Sequence, residues 1–210
     1  MINKKFLVIL LITIFIFLTG LSCQKKETTM MENMPFENKK VVLVVAFNDY
    51  QDIEFNQTKK ALEDEGVQIT VASLKKGEAK GVLGGKILID KTLEEIDLNE
   101  YDGLVFIGGP GTTQYFENDK ALSLAKEAVE KNKVLGAICI APVILAKAGV
   151  LSNKKATVWS SFIDKSFIEE IKKENAIYLD QDVVVDGKIV TANGPSSAKK
   201  FGQTIAELLK

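Results

Sequence analysis

From Val41 onward, the apolar positions of this chain alternate between two kinds of run. Val41–Phe47 (VVLVVAF), Gly103–Ile107 and Val134–Ile138 are short, unbroken and largely aliphatic, the pattern of parallel strands buried on both faces. Segments with helical spacing lie between them. Glu54–Glu65 predicts a helix stopped by Gly66, followed by a strand at Val67–Ser73. Ala121–Val129 is apolar at 121, 122, 124, 125, 128 and 129, with Lys126, Glu127 and Glu130 on the other face, which predicts an amphipathic helix. Lys80–Thr92 reads as irregular, or as short strands around Gly84-Gly85. Ala156–Trp159 predicts a fifth strand and Lys165–Lys173 a helix. Asp182–Val185 with Lys188–Thr191 predicts a hairpin turning on Asp186-Gly187, and Ala198–Leu209 a closing amphipathic helix. No internal repeat interrupts this order. Strand–helix alternation with buried strands predicts one α/β domain, a doubly wound and mostly parallel sheet sandwiched by helices. Such sheets place their sites at the carboxyl ends of the strands.

The first 40 residues follow another pattern. Lys4 and Lys5 precede an uninterrupted apolar run, Phe6–Leu18, and then Thr19-Gly20-Leu21-Ser22-Cys23, the charged start, apolar middle and small-residue exit of an export signal. Residues 1–22 are therefore set aside as a signal peptide. The segment is similar to a bacterial lipoprotein signal cleaved before Cys23, which would carry the lipid and anchor an extracytoplasmic domain to a membrane. An uncleaved N-terminal anchor and ordinary secretion are the alternatives. Residues 23–40 are polar and charged without an apolar period and predict a flexible tether, leaving 41–210 as the domain.

Composition narrows the chemistry. The chain has no histidine, which removes the usual general base, the usual thiol partner and the commonest metal ligand together. All 27 basic residues are lysine, so the forked guanidinium contacts that grip carboxylates and phosphates are missing. A net charge of −1 argues against a nucleic-acid partner, and no metal site is expected. With Cys23 lipidated, Cys139 has no intramolecular partner, so no disulfide framework is predicted.

Cys139 stands where an apolar run changes character. Before it, Val134–Ile138 reads as a strand; after it, the residues up to Gly149 read as a buried helix with Pro142 in its first turn. The cysteine is thus expected on a strand-to-helix elbow. There, a helix N-terminus would draw the thiol below its free pKa of about 8.5 toward the nucleophilic thiolate. Two further features fall at strand ends: Glu54 after the first strand and Gly108-Gly109-Pro110-Gly111 after the third. Beside a thiol, a partly buried Glu54 would have a raised pKa and could shuttle a proton. The glycine turn would offer N–H groups to an oxyanion.

Together, Asp52-Ile53-Glu54, Gly108–Gly111, the elbow Ala137–Pro142 with its continuation Leu145–Leu151, and Asn193-Gly194-Pro195 resemble the ThiJ/PfpI superfamily, also called the DJ-one family. The resemblance covers essentially all of 41–210. It implies a flavodoxin-like fold, shared with class I glutamine amidotransferases, and a homodimer. It also implies Cys139 as nucleophile, Glu54 as its hydrogen-bond partner, and the N–H groups of Gly109 and Ile140 facing a substrate oxygen. The chain departs from the family in two places. Peptidase-like members carry histidine directly after the cysteine, where Ile140 stands, and others carry one on the next strand, where Trp159 stands. A Cys-His dyad is excluded by composition, and with it a peptidase or amidase reading.

Two functions of different class remain. The resemblance implies a glyoxalase III or deglycase-like enzyme acting on methylglyoxal or its adducts, with no cofactor, through Cys139 and Glu54. The alternative is a non-enzymatic redox protein in which peroxide oxidises Cys139.

Overall fold

The computed structural model describes residues 38–210. Cys23, the export-type segment and most of the expected tether lie outside the described residues. In chain order the elements are β1 (Lys40–Val44), β2 (Asn48–Tyr50), α1 (Asp52–Glu63), β3 (Gln68–Ser73), β4 (Gly77–Gly81), β5 (Lys86–Ile89), β6 (Lys91–Thr92), β7 (Gly103–Phe106), α2 (Asp119–Glu130), β8 (Val134–Ile138), α3 (Pro142–Lys147), β9 (Lys155–Ala156), α4 (Ser166–Lys173), β10 (Ile177–Tyr178), β11 (Val183–Asp186), β12 (Ile189–Ala192) and α5 (Ala198–Leu208). Seven strands form one sheet in the order β11-β12-β8-β7-β1-β3-β6. All its pairings are parallel except β11 with β12.

The side-chain alternation of β1 sorts the core into two layers. Val41, Leu43 and Val45 pack on one face of the sheet with Leu62 of α1 and Phe201 and Ile205 of α5. Val42 and Val44 pack on the other with Leu124 and Ala128 of α2 and Ile144 of α3. Both faces of β1 and β7 are thus dry, which explains their continuous apolar composition. Helices α1 and α5 approach closely because Gly202 faces Ala61: a Cβ on Gly202 would lie 2.8 Å from the Ala61 Cβ and 2.9 Å from the Thr58 carbonyl oxygen. Chain order reverses at β1: the path runs to β3 on one side, whereas β7 and β8 lie on the other. At such a switch point, the loops leaving adjacent strands part and leave a crevice at the carboxyl ends.

The expected doubly wound α/β domain is present, with differences in detail. Lys39 and Lys40, assigned to the tether, belong to the fold: the Lys39 Nζ lies 3.1 Å from Asp102 Oδ1, and the Lys40 N–H donates to Asp102 Oδ2 at 3.0 Å. Of the two readings of Lys80–Thr92, the short strands around Gly84-Gly85 are the ones present: β4, which begins earlier at Gly77, and β5 form an antiparallel hairpin that joins β2 in a separate three-stranded sheet. The expected strand Ala156–Trp159 shrinks to Lys155–Ala156, which pairs with β10 outside the main sheet. Its next residues spend their N–H groups elsewhere: Thr157 donates to the Thr191 hydroxyl at 2.9 Å, and Trp159 to the Cys139 carbonyl at 2.8 Å. The helix after the elbow is also shorter than expected, ending at Lys147, with Gly149 at φ +77° just beyond.

Candidate active site

The elbow forms as the sequence predicts. β8 ends at Ile138, α3 begins at Pro142, and between them Cys139 adopts φ +65°. This left-handed backbone is uncommon for a residue with a side chain. It is held from both sides, by the Cys139 N–H donating to Ala192 at the end of β12 (2.9 Å) and by the Cys139 carbonyl accepting from Trp159. The end of β12 and the loop segment at Trp159 therefore over-determine the strained residue, as strained functional positions require.

Glu54 reaches the cysteine from the first turn of α1. Gln51 caps that helix, its side chain accepting the Ile53 N–H at 3.3 Å, while its own N–H donates to the Gly108 carbonyl at 2.9 Å. The start of α1 is thus fastened to the glycine loop after β7. Glu54 is fully buried. Its Oε2 accepts the Gly108 N–H at 3.0 Å, Oε1 has no nitrogen or oxygen partner, and the carboxyl's remaining hydrogen bond is to Cys139. Gly108 is glycine because space there is exhausted: a Cβ would meet the Cβ of Cys139 and lie 2.6 Å from Glu54 Oε2. Gly109, at φ +113°, fits only without a side chain, since its Cβ would meet the backbone of Asp49–Gln51. The N–H groups of Gly109 and Ile140 both hydrogen-bond the Cys139 sulfur. Cys139, Glu54, Gly109 and Ile140 are therefore together in one place.

The electrostatics correct one expectation. Burial raises the Glu54 carboxyl from 4.5 to about 7, against the opposing hydrogen bonds from Cys139 and Gly108, as anticipated for a carboxyl beside a thiol. The Cys139 thiol, expected below its free value, is instead pushed well above it. Burial is the main cause, followed by the negative charge of Glu54; the Gly109 and Ile140 N–H groups pull the other way and are outweighed. The Glu54 contribution exists only while Glu54 is ionised. A protonated Glu54 is a hydrogen-bond donor to sulfur and favours the thiolate. The two groups therefore titrate as a pair, losing a first proton near neutrality and holding the second strongly. Above that first step the pair keeps one proton between carboxyl and sulfur.

Cys139 is half-buried and opens into a pocket of about 400 Å³, walled by Pro110, Ile140, Trp159 and Phe167 and edged by Gln51 and Thr113. Trp159 stands against the Phe167 ring edge to face, centroids 6.1 Å apart, where the sequence comparison expected a histidine in some relatives. The sequence reading missed Gly108 as the donor to Glu54, although its place in the glycine turn was the available signal. It also missed Phe167, which nothing in its helix distinguishes from an ordinary core residue.

Asp52, two residues before Glu54, serves the frame rather than the chemistry. Its buried carboxylate accepts the N–H groups of Leu83 (2.8 Å) and Gly85 (2.7 Å), tying α1 to the β4–β5 hairpin. Asp52→Ala is expected to lower stability by about 3 kcal/mol, because two N–H groups lose a charged acceptor. Asp52→Asn should recover part of the loss. Urea unfolding of the two variants and the wild type measures this, and an Asp52→Ala midpoint equal to wild type would contradict it.

Comparison with known proteins fits this geometry. The DJ-1/PfpI family model matches residues 39–208, the whole described fold but for its extreme ends. The chain belongs to the DJ-1/PfpI family. It is 40% identical over 207 residues to a Methanocaldococcus jannaschii protein without an assigned function, covering 98% of each. It is 30% identical over 169 residues to Deglycase PfpI of Pyrococcus furiosus, covering 80% of this chain and 99% of that protein. Among solved structures, a ThiJ/PfpI domain protein from Brachyspira murdochii superposes with a TM-score of 0.77 at 32% identity, over 81% of this chain and 95% of that one. Drosophila melanogaster DJ-1beta superposes with a TM-score of 0.72 at 30% identity, over 82% and 90%.

Proposed function

We propose that this member of the family is a cofactor-independent enzyme of the glyoxalase III and deglycase type, consuming 2-oxoaldehydes such as methylglyoxal. The observation that carries the reading is the buried Glu54 carboxyl, raised to about 7 and hydrogen-bonded to Cys139, beside the Gly109 and Ile140 N–H groups at an open pocket. In the first step, the sulfur forms a bond to the aldehyde carbon while the Glu54 proton goes to the carbonyl oxygen, giving a hemithioacetal and leaving Glu54 ionised. The Gly109 and Ile140 N–H groups stabilise charge on the oxygen as it develops. Glu54 then takes the proton from the former aldehyde carbon, and an enediol forms across the two carbons. Return of that proton to the second carbon oxidises the first and reduces the second, so no external oxidant enters. The resulting thioester is hydrolysed by water, releasing a 2-hydroxy acid and the free thiol. The same addition to a glycated amine would end in amine release. The deglycase names carried by relatives at 30% identity support this class of chemistry.

A second reading is favoured by the N–H groups aimed at the sulfur itself, which equally suit an oxidised cysteine. In it, peroxide transfers one oxygen to the Cys139 thiolate, leaving as water, and a second peroxide carries sulfenate to sulfinate. Lactate formation from methylglyoxal separates the two. The wild type is expected to turn over and Cys139→Ser to fall to background. Wild type that forms only a Cys139 sulfinate, with no lactate, would favour the redox reading.

A further inference from the structure

The walls of the pocket bear on what sits beside the reacting carbonyl. No charged side chain lines it among the described residues: Gln51 and Thr113 are its polar side chains besides Cys139, and Pro110, Ile140, Trp159 and Phe167 supply the rest. The aromatic wall is fixed rather than loose. Trp159 is pinned next to the sulfur by its backbone hydrogen bond to Cys139, its ring abuts Phe167, and Phe167 in turn meets Phe116 edge to face at 6.3 Å. The loop joining Trp159 to α4 also carries Phe162 and Ile163, which are 98% and 92% exposed.

We propose that the substituent R of the substrate R–CO–CHO is uncharged and apolar, an aromatic ring or a branched alkyl group, so that aryl- and alkylglyoxals are preferred over methylglyoxal and over carboxylated or sugar-derived aldehydes. The inference rests on the 2-oxoaldehyde reading above and narrows its substrate. A carboxylate on R would lose its hydration against walls that offer no lysine. The hydroxyls of a sugar would need more partners than Gln51 and Thr113 provide. A methyl group leaves both aromatic walls to water, whereas a ring covers part of them, meeting Trp159 and Phe167 in the offset or edge-on contacts aromatic groups prefer.

Trp159 is the sole tryptophan of the chain, so its fluorescence reads this pocket alone. Full-chain Cys139→Ser, which binds without turnover, is titrated with acetophenone, acetone and benzoylformate. Acetophenone is expected to change the Trp159 emission at concentrations at least about tenfold lower than acetone, and benzoylformate, the same ring with a carboxylate, to bind no better than acetone. Acetone or benzoylformate binding as tightly as acetophenone would overturn the proposal. In turnover, wild type is expected to favour phenylglyoxal over methylglyoxal about tenfold or more in kcat/KM, and Phe167→Ala to reduce that ratio, which separates the wall from the intrinsic reactivity of the two aldehydes. A wild type that consumes neither aldehyde while the fluorescence order holds defeats the 2-oxoaldehyde reading and leaves the apolar preference of the pocket standing. Turnover of methylglyoxal with the fluorescence order reversed does the opposite.

Discussion

Glu54→Gln is expected to lower aldehyde turnover by about 10²- to 10⁴-fold, the range that general acid–base catalysis contributes, and at the same time to make the protein more stable above neutral pH. Both effects come from one burial. In the native state the carboxyl is raised from 4.5 to about 7, so the folded protein holds this proton more tightly than the unfolded chain does. That contribution to stability is fully present below the unfolded value of 4.5 and is lost as pH rises through the folded value, about 7. Above it, the wild-type pair carries a buried negative charge shared between the Glu54 carboxyl and the Cys139 sulfur, at a cost of about 3 kcal/mol that a neutral amide in place of the carboxyl does not incur. The gap in unfolding free energy between variant and wild type should therefore be largest near pH 8 and close toward pH 4. Chemical denaturation at a series of pH values measures it. A glutamine variant that is fully active, or a stability gap independent of pH, would show that Glu54 neither relays the proton nor is destabilised by its surroundings. Peroxide should still oxidise Cys139 in this variant, since glutamine keeps a neutral donor beside the sulfur.

Gly108→Ala carries the second large expectation. Its added methyl would meet the Cys139 Cβ, stand 2.6 Å from Glu54 Oε2 and 2.9 Å from the Ile138 carbonyl oxygen, so one of three fixed groups must move. Two belong to the reacting pair and the third to the strand that carries it. Turnover should drop by about a hundredfold or more, as a displacement near 1 Å does to aligned reacting groups. Stability should fall by about 1–3 kcal/mol, as for other overpacked interiors. Steady-state kinetics beside a melting curve decides whether both occur. Unchanged kinetics would mean that Gly108 does not set the distance between Glu54 and Cys139.

How far the sequence reached depends on whether the deciding contacts were local. The strand Val41–Phe47, the elbow at Cys139 and the helix carrying Glu54 were legible because each rests on the spacing of its own apolar residues and on a nearby glycine or proline. The fold class followed, since alternating buried strands and amphipathic helices have few ways to pack. Asp52 was visible only as a letter in a pattern. Its partners, the N–H groups of Leu83 and Gly85, lie in the turn of a hairpin some 30 residues away, and nothing in the spacing of either segment says that the two meet. Trp159 was placed on a strand because its neighbours favour extended chain, yet its N–H is taken by the Cys139 carbonyl, a tertiary contact with no local signature. The direction of the thiol shift failed for a related reason. The elbow suggested only the helix N-terminus, whereas burial and the facing carboxylate, which reaches sulfur from a separate element, are the larger influences.

Once its first proton is lost near pH 7, the Glu54–Cys139 pair keeps one proton between carboxyl and sulfur. This sharing is tested most directly by the rate of Cys139 alkylation with iodoacetamide as a function of pH, with the modified peptide identified by mass spectrometry so that Cys23 is counted separately. The rate is expected to climb through a midpoint near 7, where the pair loses its first proton and part of the charge it gains sits on sulfur, and to be nearly level by pH 8. A rate that stays at its acid-side value until the pH passes the free thiol value of about 8.5 would contradict it, because Cys139 would then be an isolated buried thiol and Glu54 a bystander.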